Sequence, residues 1–320
     1  MTIIVNILLV GIGLAMLYAG SELLIRGSAD IARRMHISQL VIGLTVVAFG
    51  TSTPELVVSI IAALEGQVDV SLGNIIGSNI INIGLILGLS AAIFPIVVHI
   101  KTIRREVPIL IAVSFVLIPM SLDGVISQIE GGLLVLSLIV FVYYSYRQLR
   151  KDNNRTEVLV DRNDSDNTSN SPMIKNLGFI TAGMVLLFFG SSLTVDNAVS
   201  IANSIGITER IIGLTIVAIG TSLPELITSV GAARKKHADL SIGNIIGSNI
   251  FNILGVLGIS SLITSIKINP AIFTDYAIMI GFSLVLIPVI KSGYIITKKE
   301  GYILVTAYSL YLMFLLIITV

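Results

Sequence analysis

A stretch of 50 residues occurs twice in this chain without insertion or deletion. Residues 41–90 align with residues 211–260 at a constant offset of 170, and 30 of the 50 positions are identical. The shared positions include two polar motifs, G-T-S-x-P-E-L and G-N-I-I-G-S-N-I-x-N, inside segments that are otherwise apolar. A repeat that keeps its polar residues while its apolar residues vary indicates one binding site made from two facing copies of a structural unit.

The composition is that of an integral membrane protein. Hydrophobic residues make up 54% of the chain and charged residues 12%, whereas a soluble domain carries about 25% charged residues. The net charge is +1, so no charge excess points to nucleic acid as a partner. The sequence has no Cys and three His, and it offers no nucleophile with a base and no His-liganded metal centre. The chain is therefore not expected to be an enzyme.

Apolar runs of about 20 residues, the length that crosses a bilayer, predict ten transmembrane helices. The expected spans are about 3–25, 39–64, 71–95, 106–122, 129–147, 174–200, 210–233, 240–266, 271–290 and 301–319. Because five spans precede the repetition, the second copy must enter the membrane from the opposite side. The predicted fold is therefore an all-α integral membrane protein with two inverted five-helix repeats, residues 1–149 and 175–320, joined by a linker at 150–174.

Basic residues concentrate in alternate loops of this scheme. Short cytoplasmic loops collect Lys and Arg, and the loops after spans 1, 3, 7 and 9 are the basic ones, with Arg33, Arg34, Lys101, Arg104, Arg105, Arg234, Lys235, Lys236, Lys291, Lys298 and Lys299. This pattern predicts a plasma-membrane protein with both termini outside and the linker in the cytoplasm.

Each copy places one carboxylate near the middle of a predicted span, Glu55 in the first and Glu225 in the second. An ionised carboxylate at that depth costs about 2.5–3.5 kcal/mol on insertion scales, and no Lys or Arg lies at comparable depth in the sequence. A protonated Glu that bonds between helices is the alternative. The recurrence of the same Glu with the same neighbours favours a cation site.

The neighbours of both glutamates supply oxygen atoms. In the first copy the polar residues follow helical spacing in two stripes, which hold Thr51, Ser52, Glu55 and Ser59, then Asn74, Ser78 and Asn82. The second copy repeats them as Thr221, Ser222, Glu225 and Ser229, then Asn244, Ser248 and Asn252. Pro54 and Pro224 lack an N–H, so the carbonyls of Gly50 and Gly220 lose their helical partners and are expected to line a cavity or to bind another group.

Other residues of these segments are predicted to pack helices together. Small residues let helix backbones approach closely, and we expect this role for Gly73, Gly77, Gly243 and Gly247. Asn79 and Asn249 fall off the polar stripes, so we expect them to hydrogen-bond between helices.

Two carboxylates among hydroxyls, amides and carbonyls form a site for a hard cation. Ca2+ takes six to eight oxygen ligands in flexible geometry, whereas Mg2+ requires an octahedron and retains water. Two negative charges match one divalent ion, and they equally match two or more sodium ions on overlapping oxygens.

The motifs GTSTPEL with GNIIGSNIIN, and GTSLPEL with GNIIGSNIFN, resemble the two α-repeats of the cation/calcium exchanger superfamily, and are most similar to prokaryotic sodium/calcium exchangers. The resemblance covers essentially the whole chain. It implies a secondary antiporter that exchanges sodium for calcium by alternating access at a midplane site, without a cofactor. The implied ligands are Glu55 and Glu225, which bridge the calcium and sodium sites, the side chains of Thr51, Ser52, Thr221, Ser222, Ser78, Asn82, Ser248 and Asn252, and the backbone carbonyls of Ala48 and Ala218.

One departure from the superfamily pattern bears on potassium. Some relatives, including potassium-dependent exchangers, carry Asp where this chain has Asn82 or Asn252, so potassium co-transport is not expected. Proton/calcium exchange is the alternative function, but the relatives that perform it resemble a pattern with an acidic residue after G-N, where this chain has Ile75. A channel would need a continuous pore and usually oligomeric symmetry. Inverted repeats favour alternating access instead, and a monomer is the expectation.

Helix 1 carries a separate charge pattern. Glu22, Arg26 and Asp30 follow i, i+4, i+8 spacing, which predicts a salt-bridge ladder that neutralises itself along one face. Helices 1 and 6 precede the site helices and carry no ligand motif. We therefore expect them to slide as a pair across the helices that hold the ligands.

Overall fold

The computed structural model describes residues 3–35, 37–156, 172–206, 218–291 and 293–319. Thirteen helices and four short strands follow one another in these ranges. The first half contains α1 (Ile3–Arg34), α2 (Gln39–Thr51), α3 (Thr53–Leu64), α4 (Val68–Ile93), β1 (Ile96–Val97), α5 (Ile100–Arg104), α6 (Glu106–Met120), β2 (Val125–Ile126) and α7 (Gln128–Thr156). The second half contains α8 (Met173–Ser204), α9 (Ala218–Thr221), α10 (Leu223–Arg234), α11 (Ala238–Ile263), β3 (Ile266–Lys267), α12 (Ile272–Lys291), β4 (Ile295–Ile296) and α13 (Lys298–Thr319).

The helices confirm an all-α membrane protein. Six described helices, α1, α4, α8, α11, α12 and the part of α7 up to Arg147, are long and apolar enough to cross a membrane, and α2 with α3 forms a seventh, bent candidate. The count of ten spans remains a prediction, because α6 has only 15 residues. Residues 207–217, which begin the seventh predicted span, and residues 157–171 of the predicted linker lie outside the described residues.

The bend between α2 and α3 follows from Pro54. The two helices meet at 47°, and Ser52 between them has φ −84° and ψ 10°. Pro54 lies in the first turn of α3, where its missing N–H does not break a helical bond of α3 but prevents α2 from continuing. The second copy has the same break at Ser222, with φ −89° and ψ 8°, before Pro224.

The two repeats contact each other reciprocally. Strand β1 pairs with β4 and β2 pairs with β3, both antiparallel. Adding 170 to the residue numbers of β1 gives β3, and adding it to β2 gives β4, so the two pairings are one contact made twice. This is the arrangement expected for repeats related by a twofold axis. The strands, and the π-helical turns at Asn82–Leu87 and Asn252–Leu257, were not indicated by the sequence patterns.

Helices α4 and α11 form the centre of the molecule. Their most apolar windows are 83% and 89% buried, compared with 22% for α1 and 33% for α8. Ile75 and Ile76 of α4 and Ile245 and Ile246 of α11 are almost inaccessible and belong to one core cluster. The ligand motifs therefore lie in the best-packed part of the protein.

Helices α1 and α8 pack against each other through glycines spaced seven residues apart. A Cβ atom built on Gly13 would lie 2.9 Å from the Gly190 carbonyl oxygen, and one on Gly20 would lie 2.9 Å from the Gly183 carbonyl oxygen. Only glycine permits backbones this close. The two helices thus form a tight pair at the edge of the core.

The predicted ladder on helix 1 is wrong. Glu22 pairs with Lys235 instead, and Asp30 pairs with Arg33. Arg26 lies over the ring of Phe179, with 5.3 Å from its guanidinium carbon to the ring centroid. Spacing along one helix identifies neighbours on that helix, but it does not include the partners that other helices provide.

The structure bears out the glycine prediction for the second copy. A Cβ on Gly243 would lie 2.5 Å from the Leu40 carbonyl oxygen, and one on Gly247 would lie 2.6 Å from the Leu44 Cα, so both glycines pack tightly against α2. A Cβ on Gly73 or Gly77 would meet no described atom within 4 Å. Both glycines line a cavity, and residues 210 and 214, the equivalents of Leu40 and Leu44, lie outside the described residues.

Candidate cation site

The two predicted carboxylates are buried where the repeats meet. Glu55 lies in the first turn of α3 and Glu225 in the first turn of α10, and their exposed fractions are 1% and 0%. The Ser52 hydroxyl donates to Glu225 Oε1 at 2.8 Å, and the Ser222 hydroxyl donates to Glu55 Oε1 at 3.1 Å. Each repeat therefore holds the carboxylate of the other.

In each repeat, the break in the helix places the negative dipole end of one helix and the positive dipole end of the next helix beside the two glutamates. A carboxylate in the first helical turn is stabilised by the positive end of the dipole, and both glutamates occupy such a turn. The carbonyl ends of α2 and α9 stop at Thr51 and Thr221, where partial negative charge favours a cation. The Ala48 carbonyl accepts the Ser52 N–H at 3.0 Å and the Thr51 hydroxyl at 3.4 Å.

One freed carbonyl has a protein partner. The Gly220 carbonyl, released by Pro224, accepts the Ser191 hydroxyl of α8 at 2.8 Å. The expectation that the freed carbonyl finds something to bind is met at Gly220 by α8, which supplies a donor that the motif does not contain. Ser191 is a residue that the sequence reasoning missed.

Helices α4 and α11 contribute the remaining hydroxyls of the network. Ser78 donates to Glu55 Oε1 at 3.5 Å and lies 3.3 Å from the Ser222 hydroxyl. Thr51 lies 3.4 Å from the Ser248 hydroxyl across the interface. Eight predicted site residues are therefore brought together: Glu55, Glu225, Thr51, Ser52, Thr221, Ser222, Ser78 and Ser248.

The asparagines of the polar stripes orient the threonines. Asn244 accepts from Thr51 at 3.1 Å, and Asn74 accepts from Thr221 at 3.4 Å. Their amide nitrogens donate to Ser229 and Ser59, both at 2.9 Å. The equal geometry in both repeats fixes which way each amide oxygen points.

Asn82 and Asn252 begin the two π-helical turns and are buried. Asn82 donates to Asn249 at 3.3 Å, and Asn79 donates to the Met279 sulfur at 3.6 Å. The prediction that Asn79 and Asn249 bond between helices is confirmed. The described hydrogen bonds do not join Asn252 to the network, and Ala218 is placed only as the first residue of α9.

Several buried oxygens of the site have no hydrogen-bond partner. Among the residues that the structure describes, nothing donates to Glu55 Oε2, Glu225 Oε2, Asn82 Oδ1 or Asn252 Oδ1. Buried polar atoms in folded proteins are almost always paired, so these acceptors fit a cation that would complete their contacts. Within the described ranges no three His, Cys, Asp or Glu side chains cluster, and the charge of this site therefore comes from the two glutamates.

A cavity of about 360 Å³ reaches the site from one side. Asn74, Gly73 and Gly77 line it, and Asp69 and Asp275 also contribute to its wall. Asn74 donates to the backbone carbonyl of Glu55 at 3.2 Å, so the cavity ends next to the carboxylate helix. The equivalent face of α11 is filled by α2 at Gly243 and Gly247.

Paired buried carboxylates among oxygen donors, between two reciprocal repeats of apolar helices, define a membrane protein with a central cation site. The sequence profile of the family described as sodium/calcium exchanger protein matches residues 5–147 and again residues 175–317. The chain therefore belongs to the sodium/calcium exchanger family, which consists of membrane transporters and not enzymes.

Relatives cover nearly the whole chain. The sodium/calcium exchanger MaX1 of Methanosarcina acetivorans is 31% identical over 98% of this chain and 99% of its own length. The putative antiporter CaxA of Alkalimonas amylolytica is 38% identical, covering 93% of this chain and 94% of its own. The solved structure of the sodium-calcium exchanger NCX_Mj, soaked with Na+ and Sr2+, superposes with a TM-score of 0.84 at 32% identity, covering 98% of this chain and 99% of that one.

Proposed function

We propose that this protein exchanges sodium for calcium across the membrane at a single site between its two repeats. The reciprocal bonds Ser52–Glu225 and Ser222–Glu55 carry the proposal, because they make one site from two copies of one motif. The named function of the relative MaX1 supports the choice of ions.

The ligands in this proposal are oxygen atoms from both repeats. Glu55 and Glu225 supply charge, and neutral oxygens come from Thr51, Ser52, Ser78, Asn82, Ala48 and their equivalents Thr221, Ser222, Ser248, Asn252 and Ala218. The unpartnered oxygens of Glu55, Glu225, Asn82 and Asn252 support this assignment. Six to eight such ligands suit Ca2+, whose charge the two carboxylates balance.

Exchange follows when sodium and calcium compete for these oxygens and the site opens to one side at a time. The cavity lined by Asn74 lies next to the helix that carries Glu55 and supports a route to the site from that side. Repeats that can exchange conformations would open the opposite side.

The proposal includes the location of the protein and its orientation in the membrane. The basic loops support a plasma-membrane protein with both termini outside and the linker 150–174 in the cytoplasm. The repeats would comprise residues 1–149 and 175–320, and the site lies within one chain, so a monomer suffices for transport.

The test is calcium uptake into proteoliposomes that contain the purified protein. An imposed sodium gradient should drive uptake, while a pH gradient and the absence of any gradient should not. Uptake driven by the pH gradient alone would favour the proton/calcium alternative and contradict the proposal.

A further inference from the structure

Two cationic side chains from different helices lie on one aromatic ring at the edge of the α1–α8 pair. The Arg26 guanidinium carbon is 5.3 Å and the Lys175 Nζ is 5.6 Å from the centroid of Phe179. Both cations are solvent- or lipid-exposed. The contact next to them, between Gly27 and Asn176, is tight, since a Cβ on Gly27 would lie 2.8 Å from the Asn176 carbonyl oxygen. The two charges are therefore held near each other by packed backbones.

The described residues do not neutralise these two charges. The acidic residues nearest to Arg26 along α1 are Glu22 and Asp30, and they pair with Lys235 and Arg33. No described side chain forms an ion pair or hydrogen bond with Arg26 or Lys175. The ring attracts each cation, but it carries no net charge to offset two positive charges. An anion from outside the described residues would supply it.

The surroundings indicate which anion. Lys175 lies in the first turn of α8, which contains no acidic residue and has no side-chain cap, so the positive end of the helix dipole adds to the two cations. Next to it, Met173, Ile174 and Leu177 are exposed apolar side chains, with 41%, 81% and 48% of their surface accessible. A ligand that suits both features has a phosphate group and acyl chains.

Helix length places this cluster at the membrane surface. Helices α1 and α8 have 32 residues each, about 48 Å, whereas the hydrocarbon core is about 30 Å thick. The end of α1 that carries Arg26 to Arg34 and the start of α8 therefore extend towards the headgroup region. We propose that Arg26 and Lys175, both positioned over the ring of Phe179, bind the phosphate group of an anionic phospholipid, which thereby clamps α1 to α8.

The test measures phosphatidylglycerol binding to the purified protein by native mass spectrometry. Arg26→Gln and Lys175→Gln should each raise the apparent dissociation constant about fivefold, since a basic residue near an anionic membrane surface contributes about 1 kcal/mol. Lys175→Arg should retain binding. Lys291→Gln is the matched control, because Lys291 is an exposed basic residue at the end of another helix without a described aromatic partner.

The other arms separate lipid from free phosphate and from misfolding. Phosphatidylglycerol should raise the thermal unfolding temperature of the wild type and of Lys291→Gln more than phosphatidylcholine does, and this difference should disappear in the double variant of Arg26 and Lys175. All variants should elute as the wild type in phosphatidylcholine. Equal binding of both lipids, equal loss in the control, or full displacement by inorganic phosphate would overturn the lipid site. None of these outcomes depends on the ions that the protein exchanges.

Discussion

At the scale of single residues, the central feature is a pair of buried glutamates, each of which accepts hydrogen bonds from described residues through only one of its two carboxylate oxygens. One oxygen of Glu55 and one of Glu225 receive serine hydroxyls, and the other oxygen of each has no donor among the described residues. A carboxylate that is buried without full compensation is unfavourable. We infer that the cation supplies the missing stabilisation.

Replacement of Glu55 or Glu225 by Gln should therefore abolish exchange and leave the protein folded. The amide is neutral and is easier to keep in the membrane, but a divalent ion then has one carboxylate to offset its desolvation. Sodium-driven calcium flux in proteoliposomes measures the loss. Glu65→Gln is the control, because Glu65 is exposed beyond the end of α3 and its side chain bonds to Gln67; normal flux in either site variant would refute the assignment.

Potassium should be neither required nor carried. Asn82 and Asn252 provide amide oxygens where an aspartate would add charge, so the two glutamates are the charged groups of the site. Calcium flux measured at a fixed sodium gradient should be the same with and without potassium on either side. A potassium requirement would contradict this account of the charge balance.

The motifs made the buried polar cluster of the candidate site predictable from sequence, because a polar residue deep in an apolar span has few structural explanations. They did not reveal Ser191, which lies outside both motifs; the signal for it is that Gly20-Ser21 recurs as Gly190-Ser191 at the same offset of 170. Nor could they reveal that Arg26 lies over the ring of Phe179, while Glu22 and Asp30 pair with other residues.

At the scale of helices, the breaks before Pro54 and Pro224 were implied by the missing N–H, whereas the π-helical turns at Asn82 and Asn252 were not. Such a turn contains one extra residue and often marks a functional site, but it depends on packing around the helix. The sequence also suggested equal roles for four glycines. Two of them pack against α2, and the other two line a cavity beside the site.

The glycine contact between α1 and α8 gives a prediction for stability. Gly20→Ala should destabilise the protein by about 1–3 kcal/mol through overpacking, because the new Cβ would lie 2.9 Å from the Gly183 carbonyl oxygen. Gly11→Ala on the same helix meets no described atom within 4 Å and should be neutral or stabilising by up to about 1 kcal/mol. The difference is measured as thermal unfolding temperature in detergent, and equal effects of both changes would show that the pair is not tightly packed.

At the scale of the whole molecule, α1 and α8 form a pair that makes few polar contacts with the helices of the candidate cation site. Ser21 donates to the Ile227 carbonyl at 3.3 Å, and Ser191 donates to the Gly220 carbonyl at 2.8 Å. The two donors, Ser21 and Ser191, are equivalent positions of the two repeats, but their acceptors are not equivalent positions. The pair therefore sits asymmetrically on the core, as expected if it slides between two positions.

Crosslinks test this motion directly, because the chain has no native cysteine. A crosslink between α1 and α8 should leave exchange intact. Cysteines in place of Ser21 of α1 and Gly231 of α10, where a Cβ on Gly231 would lie 3.1 Å from the Ser21 hydroxyl oxygen, are close enough for a disulfide and should lock exchange when oxidised and release it when reduced. The opposite pattern would show that a different group of helices moves.

The repeat and its odd number of spans made the general architecture predictable, since they follow from counting apolar runs. The direction in which the site opens was not predictable, because both copies of the motif are nearly identical. A repeated sequence carries no information on which side is open, because the two copies can exchange conformations.

The most direct test of the central claim is equilibrium binding of radioactive calcium to the purified protein at increasing sodium concentration. The account predicts one calcium ion per chain, displaced competitively and completely by sodium, and no specific binding in the double variant Glu55→Gln, Glu225→Gln. Calcium binding that persists at saturating sodium, or in the double variant, would contradict a single site shared by both ions.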